Sequence, residues 1–147
     1  MTAPSALTMR VPARFQGPTG MGQGGWAAGR ISALLEKEIT TRFRAPIPLD
    51  SDMRIEPTAD GWACTYGDTW VLEASPMHVA DWPSTAVVTI DEAEAGRHRC
   101  PWDESNHLLP HCFSCGIGED SMRVHPGFLD DGHRLDRARL GSTGRRR

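Results

Sequence analysis

The segment from Phe15 to Trp26 is the densest group of residues that could do chemistry, because it is rich in glycine and leads directly into a helical pattern. Backbone N–H groups at a helix N-terminus are available to bind phosphate or carbonyl oxygens. The spacing matches neither the GxGxxG pattern of a dinucleotide site nor a P-loop. From spacing alone we therefore favour a tight turn packed under a sheet over a phosphate site.

A second chemical group is the CxxC pair Cys112 and Cys115, which is typical of half a tetrahedral zinc site. No second CxxC occurs, and no thioredoxin-like strand precedes the pair to support a redox role. The favoured interpretation is two small apolar residues at a turn, so we expect no metal and no cofactor. The residues that would complete a zinc site are Cys100, His111, His98 and His107.

Composition limits the kinds of partner that the chain can have. Its 147 residues, 39% hydrophobic and 24% charged, suit one domain or one domain plus a fragment. The net charge of −3 predicts no general attraction to nucleic acid or to an anionic membrane. The N-terminus has no apolar segment of the kind found in signal peptides, so we expect a cytoplasmic protein with reduced cysteines.

The elements that must position these groups follow from periodicity. Residues 24–38 predict one long helix, because Ala27, Ile31 and Leu34 fall on one stripe at helical spacing. From Ile39 the period changes to two, and residues 42–74 predict an antiparallel β-meander of neighbouring strands. The class is therefore α+β. The expected strands of the meander include Met53–Thr58, Trp62–Tyr66 and Thr69–Ala74.

Regularity falls in the second half of the chain. Thr85–Ile90 is a candidate strand, and Asp91–Arg97 is a candidate helix that is capped near Thr89 or Asp91. Met122–Phe128 is a further candidate strand. Residues 130–147 are rich in Arg and Gly, so we expect a tail that is mobile or only locally helical.

Two segments resemble thioesterase-like double-hotdog proteins of actinobacteria. One is Phe15-Gln-Gly-Pro-Thr-Gly-Met-Gly-Gln-Gly-Gly-Trp-Ala-Ala-Gly29, and the other is Cys112-Phe-Ser-Cys-Gly116 followed by Met122-Arg-Val-His-Pro-Gly127. Ala45-Pro-Ile-Pro-Leu49 and Gly67-Asp-Thr-Trp-Val-Leu-Glu-Ala74 fit between them. The resemblance implies a hotdog fold, in which an antiparallel meander wraps one long helix.

On this basis we expect a flexible arm over residues 1–14 and a hotdog domain over 15–90. Residues 91–129 would be a connector and the start of a second hotdog, which is truncated or replaced. The tail over 130–147 follows. We also expect a homodimer, because a single hotdog leaves a sheet edge and a helix face uncovered.

The function that the resemblance implies is hydrolysis or binding of an acyl thioester such as an acyl-CoA. The carbonyl would be held at the helix N-terminus by Gly24, Gly25 and Trp26, as in an oxyanion hole. Gln23 would orient water or hold the carbonyl. Ser32 stands where related enzymes carry an acid, so it is the second catalytic candidate.

Two other interpretations stay open from the sequence. The first is a non-catalytic binding or interaction module that carries a zinc knuckle at Cys112 and Cys115. The second is an accessory protein of secondary metabolism that binds a small molecule. Whether the chain is an enzyme is therefore left undecided between these possibilities.

Overall fold

The computed structural model describes residues 7–77, 88–102, 105–125 and 127–128. The chain divides into two compact units, Met1–Trp82 and Pro83–Arg147. The first unit contains five strands and one α-helix, and the second contains one α-helix in its described part. The elements are β1 (Leu7–Met9), α1 (Gly24–Leu35), β2 (Ile39–Phe43), β3 (Met53–Thr58), β4 (Gly61–Tyr66), β5 (Thr69–Pro76) and α2 (Ile90–Arg97).

The strands of the first unit form one antiparallel sheet in the order β1-β3-β4-β5-β2. Strands β3, β4 and β5 are joined by two-residue turns and form the meander that the sequence predicts. Gly67 turns the β4–β5 hairpin with φ +55°, in the left-handed region that favours glycine. At Gly61, a Cβ atom would lie 2.1 Å from the carbonyl oxygen of Ala74, so this close approach of strands requires glycine.

Strand β2 does not neighbour β3, although the meander prediction placed it there. Its residues pair with β5 instead, from Ile39 opposite Pro76 to Phe43 opposite Leu72. The reason is the segment between β2 and β3, residues 44–52. This segment is long enough to cross the sheet, so a hairpin between β2 and β3 is not required. Its two prolines, Pro46 and Pro48, disfavour regular strand pairing, and the burial of Ile47 holds the segment against the core.

Residues 7–14 are not a flexible arm, so the prediction for 1–14 is wrong over this part. Leu7–Met9 pairs with Ile55, Arg54 and Met53 of β3 as an edge strand. Met9 and Val11 are almost completely buried, and this burial of apolar surface stabilises the segment on the sheet. The remaining residues of the expected arm lie outside the described part of the chain.

The expected hotdog fold is wrong. In the part of the chain that the structure describes, the sheet has five strands and the two α-helices have 12 and 8 residues, so no long helix is found there for a meander to wrap. Helix α1 ends after Leu35 because Glu36 adopts a left-handed conformation with φ +52°, which turns the chain away from the helix axis. A helix of 12 residues is only about 18 Å long.

The core lies between helix α1 and one face of the sheet. Ala27 and Ile31 are the buried residues of the helix, and they belong to the same cluster as Met53 and Leu72 of the sheet. The whole cluster lies between Met9 and Ala74 and comprises Met9, Val11, Ala27, Ile31, Ile47, Met53, Ile55, Cys64, Val71, Leu72 and Ala74.

In the second unit, helix α2 begins as the sequence predicts. Thr89 caps it through a capping box, in which the Thr89 hydroxyl accepts from the Glu92 N–H and the Glu92 carboxylate accepts from the Thr89 N–H. The candidate strand Met122–Phe128 is wrong over residues 122–125, which form no strand there. The candidate strand Thr85–Ile90 is wrong over residues 88–90, because Thr89 caps helix α2 and Ile90 begins it. Residues 85–87 and the tail 130–147 lie outside the described residues. Within the described ranges, neither helix is long and apolar enough to cross a membrane.

Candidate functional site

The glycine-rich segment forms a closed turn that delivers the chain to the start of helix α1. Gln16 and Gly22 face each other as an isolated antiparallel bridge, and the Gly17 N–H donates to the Met21 carbonyl at 2.8 Å. The Gln23 N–H then donates to the Phe15 carbonyl at 2.8 Å. This confirms a tight turn before the helix, and the turn fixes where the helix N-terminus lies.

Gly22 anchors this turn against the core. Its N–H donates to the Ile47 carbonyl at 2.8 Å. A Cβ atom at this position would lie 2.7 Å from Cγ2 of Ile47 and 3.1 Å from Cγ1 of Val11. Glycine is therefore needed here for space, since no side chain fits between the turn and two buried residues.

Gln23 is the N-cap of helix α1. Its side-chain oxygen accepts a hydrogen bond from the Trp26 N–H at 2.5 Å, the bond that an N-cap normally makes to the third helical residue. The backbone N–H of Trp26 is therefore not available to a ligand in this structure. Among the residues that the structure describes, none accepts a hydrogen bond from the N–H of Gly24 or of Gly25.

An aromatic stack lies beside these two N–H groups. The rings of Phe15 and Trp26 are 4.5 Å apart at an angle of 20°, and the guanidinium of Arg14 lies 4.4 Å above the Phe15 ring. The sequence pointed to Trp26, but it did not reveal the position of Arg14 or the stacking of Phe15 on Trp26. The only available signal was the position of an aromatic residue at the start of the glycine-rich segment.

The structure does not bring the two catalytic candidates together. Ser32 is nine positions along the helix from Gln23, or about 13 Å along the axis. Its hydroxyl donates to the Lys37 carbonyl at 2.6 Å, so it satisfies a backbone group at the C-terminal end of the helix. The first turn of the helix carries no acidic residue.

The CxxC pair lies in a compact loop of the second unit. The Gly116 N–H donates to the Cys112 carbonyl at 2.8 Å, and the Ser121 hydroxyl donates to the same carbonyl at 2.9 Å. Burial, together with a smaller effect of a hydrogen bond with Cys112, raises the pKa of the Cys115 thiol to about 11. Both cysteines are free thiols, as is Cys100.

Histidines lie around this loop without forming a metal centre. Nε2 of His125 lies 2.9 Å from the Cys115 carbonyl oxygen, and the rings of His107 and His125 are 5.8 Å apart. His111 is exposed. Over the described part of the chain, no three His, Cys, Asp or Glu side chains are grouped so that they could hold a metal ion.

Comparison with known proteins gives no match to any family model, curated protein or solved structure. The resemblance of the glycine-rich and cysteine segments to thioesterase-like proteins therefore stays a prediction.

Proposed function

We propose that this protein binds an acyl thioester, such as an acyl-CoA, with the thioester carbonyl at the start of helix α1. The carbonyl oxygen would accept hydrogen bonds from the N–H groups of Gly24 and Gly25. The observation that carries this proposal is that both groups lack an acceptor among the described residues and lie next to the Phe15–Trp26 stack. The resemblance of the same segment to thioesterase-like proteins supports the same class of ligand.

The number of available donors favours a carbonyl over a phosphate. Gln23 already occupies the N–H of Trp26, which leaves two donors in the first turn. A carbonyl oxygen has two lone pairs and can be satisfied by two N–H groups, whereas a phosphate presents several charged oxygens. The positive end of the helix dipole would polarise the bound carbonyl. The neighbouring aromatic rings offer apolar surface to the acyl group.

Binding is favoured over hydrolysis by the positions of the polar side chains. Hydrolysis requires a base that activates water within hydrogen-bond distance of the carbonyl. The described first turn of the helix has no acid, Gln23 serves as the N-cap, and Ser32 bonds a carbonyl at the opposite end. We therefore infer that the site holds the thioester without cleaving it.

The test compares acetyl-CoA and octanoyl-CoA with free CoA by isothermal titration calorimetry. Only the acyl-CoAs carry a thioester carbonyl, since the carbonyls of CoA itself are amides of its pantetheine arm, so both acyl-CoAs should bind more tightly than CoA. Gly25→Pro removes one N–H donor at a first-turn position that tolerates proline, and we expect it to weaken thioester binding about tenfold. Gly25→Ala keeps the N–H and adds a Cβ atom that would lie 3.3 Å from Oε1 of Gln23. Since proline adds a Cβ atom at this position too, Gly25→Ala is the matched control and should bind more tightly than Gly25→Pro.

Thermal denaturation of each variant checks that the fold is intact. Equal binding of CoA and the acyl-CoAs would contradict the proposal, as would full affinity in a folded Gly25→Pro variant. Release of CoA from either thioester, followed with a thiol reagent, would show hydrolysis and replace the inference of binding alone.

A further inference from the structure

A second concave surface lies on the sheet, away from the helix N-terminus. It is a cleft of about 470 Å³, which is within the usual size range of small-molecule sites. The residues that line it come from β2, β5 and the β3–β4 hairpin: Thr40, Arg42, Thr58, Ala59, Asp60, Trp62, Trp70, Glu73, Ala74 and Ser75.

Strand register explains why polar side chains gather there. Arg42 lies opposite Glu73, and Thr40 lies opposite Ser75, so these four residues share one face of the β2–β5 pair. Leu72 and Ala74 alternate with them on β5 and belong to the core. The four polar residues of the cleft therefore lie on the face of the sheet that points away from the core. Ala74 and Trp62 also line the cleft, although Ala74 belongs to the core cluster and Trp62 packs against it.

A β-bulge places an aromatic residue on the same face. The register shifts between Cys64 and Thr65, so that Val71 and Leu72 are both buried while Trp70 pairs with Thr65. Trp70 is 52% exposed. A half-exposed indole in a cleft offers a flat surface on which a ligand ring can stack.

The charges of the cleft balance. Glu73 is bonded to Arg44 at 2.7 Å, and the hydrogen bond from Arg44 lowers the pKa of the Glu73 carboxyl. The charge of Arg42, which lies opposite Glu73, also lowers the pKa of that carboxyl. Among the described residues, however, neither the guanidinium of Arg42 nor the carboxylate of Asp60 makes a direct hydrogen bond or ion pair. The cleft thus offers one cationic donor, one anionic acceptor and the hydroxyls of three further lining residues, with no excess of either sign.

From this arrangement we propose that the cleft binds a neutral saccharide of one or two rings. A sugar hydroxyl can both donate and accept a hydrogen bond, so sugar hydroxyls can donate to the Asp60 carboxylate and accept from the Arg42 guanidinium. The C–H face of a sugar ring is apolar and can lie on the indole of Trp70. A ligand with a net charge would leave Arg42 or Asp60 facing a like charge, which makes a neutral ligand the better match.

The test titrates the full chain with maltose, cellobiose and N,N′-diacetylchitobiose, which are all neutral, and follows binding by NMR chemical shifts. At least one saccharide should bind with a millimolar dissociation constant and shift the indole resonance of Trp70. Trp70→Ala should weaken it about tenfold, because the stacking surface is removed. Tyr66→Ala is the matched control, since Tyr66 is a similarly exposed aromatic residue of the same sheet that does not line the cleft.

Arg42→Gln provides a second variant on an exposed edge-strand position and should also weaken binding. Indole-3-acetate and tetramethylammonium test an aromatic anion and a cation at the same site. The proposal is overturned if none of the three saccharides binds at millimolar concentration, if Trp70→Ala or Arg42→Gln binds as well as Tyr66→Ala, or if either charged probe binds in place of the sugars.

Discussion

Gln23 and Ser32 each use their side chain to satisfy a backbone group near one end of helix α1. Gln23 accepts from the Trp26 N–H, and Ser32 donates to the Lys37 carbonyl. Free N–H and C=O groups at helix ends must find partners, and both side chains supply one. The resemblance to thioesterase-like proteins made them catalytic candidates, but their hydrogen bonds in this structure serve the two ends of the helix.

Replacement of Gln23 tests its role as the N-cap. Gln23→Ala removes the acceptor for the Trp26 N–H, and we expect the free energy of unfolding to fall by about 1 kcal/mol. Gln23→Asn keeps an amide oxygen of a residue type that is preferred at this position and should retain the stability. Urea denaturation measures both. An alanine variant as stable as the wild type would mean that the hydrogen bond contributes nothing to the fold.

The buried thiol of Cys64 should make the folded protein less stable at alkaline pH. It is 1% exposed in β4, and burial raises the pKa of its thiol from 9.0 to about 11. Between these two values the unfolded chain loses the thiol proton while the folded chain keeps it, so stability falls as pH rises. We expect a loss of about 2 kcal/mol from this residue by pH 11.

Urea denaturation across this pH range measures the effect against a Cys64→Ala control. The control is less stable at neutral pH because it lacks the buried sulfur, but its stability should fall less between pH 9 and pH 11. Parallel pH profiles for the two proteins would contradict the raised pKa of Cys64.

At the scale of elements, local patterns predicted the hairpins but not the position of β2. The period of two and the turn residues around Gly61 and Gly67 are local signals, so β3, β4 and β5 were predictable. The pairing of β2 with β5 depends on how residues 44–52 cross the sheet, which no local pattern encodes. The capping of helix α2 was likewise predictable, because Thr89 and Glu92 lie three residues apart.

The candidate site shows the same division. The helix N-terminus and its glycine-rich entry could be located from the sequence. The use of Gln23 as a cap, the stack of Phe15 on Trp26 and the cleft around Trp70 could not, because each depends on contacts or register that tertiary structure sets. The length of the helix was also overestimated, since the left-handed Glu36 is not a residue type that marks a helix end.

Two glycines next to or within helix α1 should respond oppositely to alanine. Gly29 is a helical residue whose Cβ would meet nothing within 4 Å, so Gly29→Ala should raise stability by about 0.5–1 kcal/mol. Gly22→Ala would force a methyl group against Ile47 and Val11, and we expect a loss of about 1–3 kcal/mol. Thermal and urea denaturation of the two variants, measured together, check the contrast. If Gly22→Ala is neutral, the turn is not held as tightly as its contacts indicate.

At the scale of the whole molecule, the two units differ in how much apolar surface they bury. Every residue of the core cluster belongs to the first unit. In the described part of the second unit, Cys112 is the only buried hydrophobic side chain. Burial of apolar surface is the main favourable contribution to folding, and a short segment with little of it is usually unstable alone.

This difference predicts that residues 1–82 fold without the rest of the chain, whereas residues 83–147 do not. The first fragment retains all five strands, helix α1 and the whole core cluster, so it should show a cooperative thermal transition and dispersed NMR resonances. An unfolded 1–82 fragment would show that the core cluster alone is insufficient, and a folded 83–147 fragment would show that the second unit has a source of stability other than apolar burial.

A core substitution within the 1–82 fragment tests whether the cluster stabilises it. Ile31→Ala should lower the free energy of unfolding of the fragment by about 2–5 kcal/mol, since Ile31 is fully buried in the helix–sheet contact. Ala33→Ser, at an exposed position of the same helix, is the control and should have little effect.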